Sequence, residues 1–483
     1  MSVSLHRSFR FVVAILALYF GVANQAIASG FGAPRMDGSW SSPTFATPAS
    51  MRFNPSILNH LDGFQLEGGL ALIYAHAGYE RQRRASYQRA DGLDFKLPVA
   101  PSDVDPSRSG WQPEVTGGVL LPGGSGAISL KINDRWALGG HLYPELGAVL
   151  TFADQGPHQW QLQQVTLLAT SAGASVAFKA LPWLDLGFGV DLMAGLLSLR
   201  QVADLAQAPL MQQALGEPPI NQVNDFGPSA PAGVRELDVL SRPVTIRNAQ
   251  AMGWTWRAGL TAQIGAGWLA ALGWRHQTDL VFVGDAYLDM NHDLFTQDLT
   301  SQGLQYPALV KGRAYVPLPV PSVLHVGLGG PIGERFALHA HIAWNRYSVV
   351  KTLDVTLQSQ DLTQPKLGLG DTAALSLERD WIDTVEAEVL ASVDLSRRLK
   401  LGWRVGYHSP MSPDATVDLM SIDGHRLIAG LLASQSFGAV TLTAAVGVQH
   451  VLPRRVVASR YDRGNGWYRL TIGHLNVGMV WRL

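Results

Sequence analysis

Residues 64–74 read FQLEGGLALIY and alternate between two kinds of side chain. The apolar set is Phe64, Leu66, Leu70, Leu72 and Tyr74. The small or polar set is Gln65, Glu67, Gly69 and Ala71. Successive side chains of a β-strand point to opposite faces. The stretch therefore predicts a strand with one complete apolar face, and residues 440–449 and 474–483 alternate in the same way.

The first 28 residues are typical of a secretory signal peptide. Basic residues precede a short apolar run at residues 11–20, and residues 26–28, Ala-Ile-Ala, supply small side chains for cleavage. We expect the mature chain to begin at Ser29 and the protein to be exported.

The composition of the 483-residue chain narrows the class of fold. Lys and Arg number 37 against 38 Asp and Glu, so no excess charge points to nucleic acid. The chain has no cysteine, so an exported form cannot rely on disulfides. Charged residues make up 16%, below the roughly 25% of soluble domains. No mature segment offers the ~18 consecutive apolar residues of a spanning helix. A large soluble all-β protein and an outer-membrane barrel remain.

The second face of the strands and the spacing of the turns favour the barrel. That face is rich in Gly, Thr, Gln and Arg, which suits a wet lumen, while the apolar face would meet lipid. Six short turns separate alternating runs of about ten residues, the length of a spanning strand; they lie at 132–135, 180–182, 265–267, 331–334, 395–397 and 436–438. With the first and last strands, residues 62–483 predict an all-β fold, a 14-stranded antiparallel transmembrane β-barrel.

Residues 29–61 are irregular and broken by proline, and they precede the first strand. A barrel of fourteen strands is wider than its own side chains can fill, since eight strands are just filled. We therefore predict that residues 29–61 form a small N-terminal hatch that plugs the lumen.

Several short motifs resemble the FadL-type outer-membrane transporters of long-chain fatty acids and other hydrophobic compounds. They occur in the family's order through most of the mature chain: SGFG at 29–32, SMRFNPS at 50–56, LALIY at 70–74 and INDRWALG at 132–139. Ser56 stands where the family usually has Ala after Asn-Pro, and Leu483 stands at the usual terminal Phe.

The resemblance implies a monomeric outer-membrane barrel that needs no cofactor and binds hydrophobic small molecules such as long-chain fatty acids. Extracellular loops would collect the ligand, which would pass to an interior pocket and leave sideways into the membrane lipid near a deformed strand 3. A shift of the hatch near Phe53, Asn54 and Pro55 would open this path.

Strand 3 reads WALGGHLYPELG and contains Pro144, followed by Gly147. Proline cannot donate to a sheet ladder, so within a closed barrel it requires a bulge or a break. Such a break suits a lateral gate, although an extracellular strand end would also tolerate proline.

Longer loops are predicted between the short turns, the third to fifth at about residues 201–249, 284–319 and 351–381. Loops three and four carry apolar side chains that exposed loops normally avoid. The candidates for ligand capture are Leu210, Met211, Leu288, Leu294, Phe295 and Leu299. An apolar patch on an exported protein indicates a hydrophobic ligand or partner, and the same residues could instead pack on one another as a cap.

From the two-residue period of the strands, we expect many charged side chains to point into the lumen. We expect an interior ion-pair network rather than a metal site, because a lumen must pair its charges; its members are His339, His341, Glu386, Glu388, Lys400 and Arg404. Arg257 and Arg275 also point inward and are candidates for binding a carboxylate headgroup. Either could instead pair with Asp185 or Asp191.

The sequence thus predicts a passive outer-membrane channel for hydrophobic molecules. It has no Gly-x-Ser-x-Gly elbow, zinc-protease pattern or phosphate loop, so we do not expect an enzyme. A general porin for small polar solutes is the main alternative, although the hatch argues against an open pore. A surface adhesin or structural barrel would use the same fold with its loops as binding surfaces.

Overall fold

The structure is a computed structural model. It describes residues 40–82, 85–88, 94–97, 111–204, 241–301, 303, 306–365, 370–459 and 462–483. The expected signal peptide, the start of the hatch and most of loop three, with Leu210 and Met211, lie outside the described residues.

Among the described residues, fourteen strands form one antiparallel barrel. They are β1 Phe64–Arg81, β2 Val115–Lys131, β3 Trp136–Thr151, β4 Gln164–Leu181, β5 Leu184–Asp204, β6 Ser241–Gly265, β7 Trp268–Arg275 with Thr278–Asp289, β8 Leu309–Val320 with Val323–Ile332, β9 Phe336–Asn345 with Thr352–Gln358, β10 Thr372–Glu378 with Thr384–Asp394, β11 Leu399–His408, β12 Arg426–Phe437, β13 Val440–Val456 and β14 Gly466–Arg482. The last strand pairs with the first from Gln65↔Arg482 to Arg81↔Gly466, so the barrel is closed as predicted.

The two faces of the wall follow the alternation of the sequence. Leu70 and Leu72 face outward, and 68% of the Leu70 surface is exposed. Ala71 and Ile73, which alternate with them, are buried. Closure of the barrel pairs the first strand with the last, because lipid cannot form hydrogen bonds with a free strand edge. No α-helix among the described residues is long and apolar enough to cross a membrane.

Several strands run further than their sequence pattern predicts. β9 and β10 continue as a paired extension from Thr352↔Glu378 to Gln358↔Thr372, within the segment expected to be a loop. Leu288, expected in loop four, lies in β7, which continues to Asp289. Register with neighbouring strands, rather than local sequence, sets where these extensions end.

The described part of the hatch, residues 40–61, lies inside the barrel and is built from two 3-10 helices. These are Pro48–Arg52 and Pro55–His60, and each starts with a proline, whose fixed φ suits a first helical position. The first helix packs on β1, β2 and β3, and the second packs on β2 to β6.

The wall has an irregularity between β2 and β3. β2 pairs with β1 along almost its whole length, from Phe64↔Leu130 to Tyr79↔Val115. On its other side β2 pairs with β3 only from Lys131↔Ala137 to Gly126↔Leu142. The described ladder therefore leaves the upper part of β2 with a partner on one side only.

Candidate functional site

The hatch is held to the wall through the Asn-Pro-Ser segment. Asn54 Nδ2 donates to Thr261 Oγ1 on β6 at 2.7 Å, and Ser56 Oγ lies 2.7 Å from the same hydroxyl. Ser56 Oγ also donates to Asn54 Oδ1 at 2.7 Å, which closes a buried ring of three polar side chains. The Ser56 hydroxyl therefore adds a hydrogen bond between the hatch and the wall.

A row of three glycines lets the hatch come this close. Gly187, Gly259 and Gly273 are directly paired neighbours on β5, β6 and β7. A Cβ atom at Gly259 would lie 2.1 Å from Asn54 Oδ1, and one at Gly273 would lie 1.9 Å from the carbonyl oxygen of Phe53. We call these three residues the glycine row; any side chain there would push the hatch away.

Polar contacts extend the same attachment toward the periplasmic end of the barrel. Asn59 Nδ2 donates to Asp185 Oδ1 at 2.8 Å, and His60 Nε2 lies 3.0 Å from Asp185 Oδ2. Asp185, expected as a partner for an interior arginine, therefore holds the hatch instead.

Arg257, a candidate for the ligand headgroup, is already surrounded by partners. Its guanidinium donates to the Asp191 carboxylate, the Arg52 carbonyl of the hatch and the Tyr143 hydroxyl. Asp191 also lies 2.9 Å from His141 Nε2, and its side chain is fully buried. The pairing with Asp191 that the sequence left open is the one observed.

Arg275, the second headgroup candidate, is paired with Glu145 of β3. Its other contact is a hydrogen bond of 2.8 Å to the Pro321 carbonyl. Glu145 Oε2 also lies 3.5 Å from Arg257, so one carboxylate bridges both arginines. Both candidate cations are inward and buried as predicted, and both have carboxylate partners.

A small cavity of about 70 Å³ lies beside these arginines, directly above the hatch. Its lining combines charged, aromatic and apolar groups and includes Phe53, Tyr143, Glu145, Leu146, Arg257, Arg275, Val320, Tyr347 and Glu386. The cavity lies against β3, and Phe53, a predicted hatch residue, forms part of its floor.

Of the six residues expected to form an interior ion-pair network, Glu388 and Arg404 form an ion pair with each other. Arg404 Nε lies 3.8 Å from Glu388 Oε2, and His408 Nε2 lies 3.4 Å from Glu388 Oε1. Glu386 Oε1 accepts a hydrogen bond of 3.0 Å from Asn345 Nδ2. These side chains lie together across neighbouring strands.

The two histidines of this network contact the hatch. His339 Nδ1 lies 3.0 Å from Thr44 Oγ1, and the His341 ring packs 5.4 Å from the Phe53 ring. Within the described residues, no group of three His, Asp or Glu side chains is placed to hold a metal ion.

A larger recess of about 330 Å³ lies on the opposite side of the hatch. Its lining mixes polar and apolar side chains and includes Trp40, Phe45, Glu67, Ser125, Lys400, Leu432, Ser434, Val477, Met479 and Arg482. Lys400 lies 3.7 Å from Asp394 at this recess, rather than beside Glu386 or Glu388 as predicted. The reason is register, since Asp394 is its direct partner across the β10–β11 pair.

The bulge expected at Pro144 is present. β3 pairs with β4 as Pro144↔Thr170 and then Leu146↔Ala169, so Glu145 is the extra residue. Residues 145–150 are all buried, including Gly147, whereas a wall strand would alternate. The upper half of β3, toward the extracellular end, is therefore displaced from the wall into the lumen. Its side chains Leu146, Val149 and Leu150 belong to the apolar core there.

The end of β3 returns toward β2 and closes the upper border of the opening. A Cβ atom at Gly117 would lie 2.8 Å from the Phe152 ring and from the Thr151 carbonyl oxygen. Phe152 packs against His158, whose Nε2 lies 2.8 Å from the Ala153 carbonyl oxygen. Burial lowers the pKa of His158 in this extracellular loop. The gap is thus a window beside residues 118–125 of β2.

The described loop residues give a partial account of the predicted capture site. Leu288 and Phe295 are buried, and the Phe295 ring lies edge-on to Tyr306 with centroids 6.1 Å apart. Leu294 begins a short π-helical turn, Leu294–Asp298, and Leu299 starts the following turn, Leu299–Ser301. Phe295 is therefore packed inward as a cap residue, the alternative that the sequence left open.

Sequence reasoning missed Thr261, Glu145 and the glycine row. The one local signal for Glu145 is its place directly after the proline of a spanning strand. The glycines carry no local signal, because their alignment depends on the register of three strands.

Comparison with known proteins agrees with this architecture. The sequence profile of the outer membrane protein transport protein family (OMPP1/FadL/TodX) matches residues 21–465. No curated protein sequence matches the chain.

Solved structures share the fold at low sequence identity. A Pseudomonas aeruginosa FadL homologue is 17% identical, with a TM-score of 0.70, covering 95% of this chain and 99% of its own. The Pseudomonas putida toluene transporter TodX is 16% identical, with a TM-score of 0.63 and coverage of 94% and 98%. The Ralstonia pickettii toluene transporter TbuX is 16% identical, with a TM-score of 0.59 and coverage of 94% and 99%. The chain therefore belongs to the OMPP1/FadL/TodX family of outer-membrane transport proteins for hydrophobic compounds.

Proposed function

We propose that this protein takes up long-chain fatty acids or other hydrophobic compounds passively and releases them sideways into the outer membrane. The observation that carries the proposal is the window between β2 and β3, where the ladder stops at Gly126↔Leu142. Leu121 on β2 and Leu146, Val149 and Leu150 on β3 give this region an apolar lining. An apolar opening in a barrel wall offers a hydrophobic molecule a route into lipid without crossing water.

Loops would collect the cargo, the apolar region around Leu146, Val149 and Leu150 would receive it, and the window would release it. Movement down a concentration gradient is sufficient for this route. The barrel acts as a monomer in this proposal, because the cavity and the window are both built from one chain.

The charges beside the cavity favour uncharged cargo over fatty acids. Arg257 and Arg275 already have Asp191 and Glu145 as partners, so a fatty-acid carboxylate would have to displace a buried carboxylate. A neutral hydrocarbon needs no such exchange. The toluene transporters among the structural relatives fit this second cargo class.

The test is uptake of labelled oleate and labelled toluene by cells that lack their own transporter. Because the chain has no cysteine, a Leu121→Cys variant can be modified at one place with a bulky maleimide. Modification should block the window and lower uptake of the preferred cargo at least five-fold. The matched control is Leu130→Cys, which lies on the exposed outer face below the window, and its modification should leave uptake unchanged.

Each outcome has a clear meaning once insertion of the barrel has been confirmed. Saturable uptake of toluene but not oleate would identify neutral cargo, and the reverse would identify fatty acids. Uptake that persists after full modification at position 121 would rule out the lateral route. Entry of small sugars with neither hydrophobic cargo would favour a general porin, and entry of no tested solute would favour an adhesin.

A further inference from the structure

Glu145 lies at the point where β3 leaves the wall. It is the extra residue of the bulge and is paired with neither β2 nor β4 in the described ladders. Strand alternation turns Tyr143 and Glu145 toward the lumen, and the bulge at Glu145 is where the strand backbone itself moves inward. The Glu145 side chain is 6% exposed, so it is buried together with its charge.

The partners of Glu145 explain why a carboxylate is needed there. Arg257 and Arg275 are direct partners across the β6–β7 pair. Like charges directly opposite each other destabilise a sheet. Asp191 neutralises Arg257 from one side, and Glu145 lies between the two guanidinium groups from the other.

A straight β3 would hold the backbone of Glu145 in the wall. The existing β2–β3 register, continued upward from Gly126↔Leu142, would place Glu145 opposite Gly123 and Gly147 opposite Leu121. The Glu145 carboxylate would then have to reach Arg275 from the wall ladder, four strands away in the barrel order, instead of from a backbone displaced into the lumen. Leaving a buried charge without its partner is strongly unfavourable, so the ion pairs favour the bent strand.

We propose that Glu145 is a positioning residue that holds the upper half of β3 inside the lumen and so keeps the lateral window open. The inference rests on the proposed lateral route for its effect on uptake. It does not require the residue to touch the cargo. Through Arg257, which also donates to the Arg52 carbonyl, the same ion-pair group ties the window to the hatch.

The test uses a cysteine pair that can form a disulfide only when β3 joins β2. Leu121→Cys with Gly147→Cys supplies it, because a disulfide needs Cα atoms within about 7 Å. In the otherwise unchanged protein the oxidised yield should be low. Glu145→Gln, and separately Glu145→Ala, should raise that yield at least five-fold and lower uptake of the preferred cargo at least three-fold.

Two controls separate this effect from a general loss of structure. Leu130→Cys with Leu138→Cys, a pair already in register, should cross-link equally in every background. Glu388→Gln removes another buried carboxylate, the partner of Arg404, at a distance from β3 in the barrel order. It should leave the 121–147 yield unchanged.

The cross-link also distinguishes failure of this inference from failure of the proposed function. An unchanged 121–147 yield in both Glu145 variants, with the control pair intact, would overturn the role of Glu145. An equal rise in Glu388→Gln would overturn it too. If the yield rises as expected while the unmodified protein takes up neither oleate nor toluene, Glu145 holds the strand and the transport proposal fails.

Discussion

The hatch meets the two sides of the barrel differently. Against β5, β6 and β7 it lies directly on the backbone, over the glycine row, and Asn54 bonds to Thr261. Toward β11–β14 it faces a recess of about 330 Å³ that reaches Lys400 and Arg482. One side is docked without space for a methyl group, and the other is open.

The difference indicates that the β5–β7 side holds the hatch more tightly than the recess side, where the Ala49 N–H donates to Glu67 Oε2 at 2.8 Å. Close contact with backbone and buried hydrogen bonds resists displacement, because a separated pair would leave buried polar groups unsatisfied. A hatch that moves would therefore turn about its docked side and swing into the recess. Substitutions on the two sides can test this asymmetry with one reporter, the labelling rate of a Ser50→Cys variant, whose parent side chain is fully buried.

The largest expected effect is that of Gly259→Ala on the docked side. The new methyl group would lie 2.1 Å from Asn54 Oδ1, so the hatch must shift. Overpacking destabilises a packed site by about 1–3 kcal/mol, and we expect a value near the upper limit here. If the docked hatch is destabilised by about 3 kcal/mol, the reporter cysteine should be labelled roughly 100-fold faster.

Gly68→Ala is the matched control for that prediction. Gly68 lines the recess, and the nearest atom to a Cβ there is the Ser125 carbonyl oxygen at 4.0 Å. Its labelling rate should equal that of the parent. Equal rates for the two glycine variants would contradict tighter docking on the β5–β7 side.

Asn54→Ala should have an intermediate effect. It removes the donor to Thr261 and the acceptor for Ser56, while the Ser56–Thr261 hydrogen bond can remain. A lost buried hydrogen bond costs about 1–2 kcal/mol, so reporter labelling should rise roughly ten-fold. The control is Ser434→Ala, which removes a hydroxyl from the lining of the recess and should leave the labelling rate unchanged. A similar rise in the Ser434→Ala variant would show that both sides hold the hatch equally.

Lys400→Gln should have the smallest effect. Lys400 and Asp394 are 3.7 Å apart and both are well exposed, with relative side-chain exposures of 37% and 49%. Such pairs contribute about 0–1 kcal/mol, and the pair lies on the recess side. The labelling rate should change less than about two-fold; a ten-fold rise would mean that the recess side also anchors the hatch.

The sequence predicted more of the wall than of its interior. Alternation at residues 64–74 and the six short turns predicted the closed fourteen-stranded barrel. The two-residue period of a strand and the strand length that a membrane requires can both be recognised in short stretches of sequence. The extension of β9 and β10 to Gln358 and Thr372 was assigned to a loop, since strand ends depend on the neighbouring strand. Lys400 was assigned the wrong partner for the same reason.

The candidate site shows the same division. Alternation was sufficient to turn Arg257 and Arg275 inward, and proline chemistry was sufficient to predict a bulge at Pro144. The sequence did not predict that Glu145 pairs with both arginines, because this contact depends on the bend of β3 into the lumen. The Asn-Pro-Ser motif was recognisable, but the three aligned glycines that receive it were not.

The sequence by itself thus determined which residues face lipid, how many strands cross, and that an irregular leader precedes them. These properties follow from short-range periodicity and from the local backbone limits of proline. The tertiary structure decided where the hatch docks, where the wall opens and which charges neutralise one another. Those outcomes depend on the relative register of strands that are distant in the chain, and a single sequence does not encode that register locally.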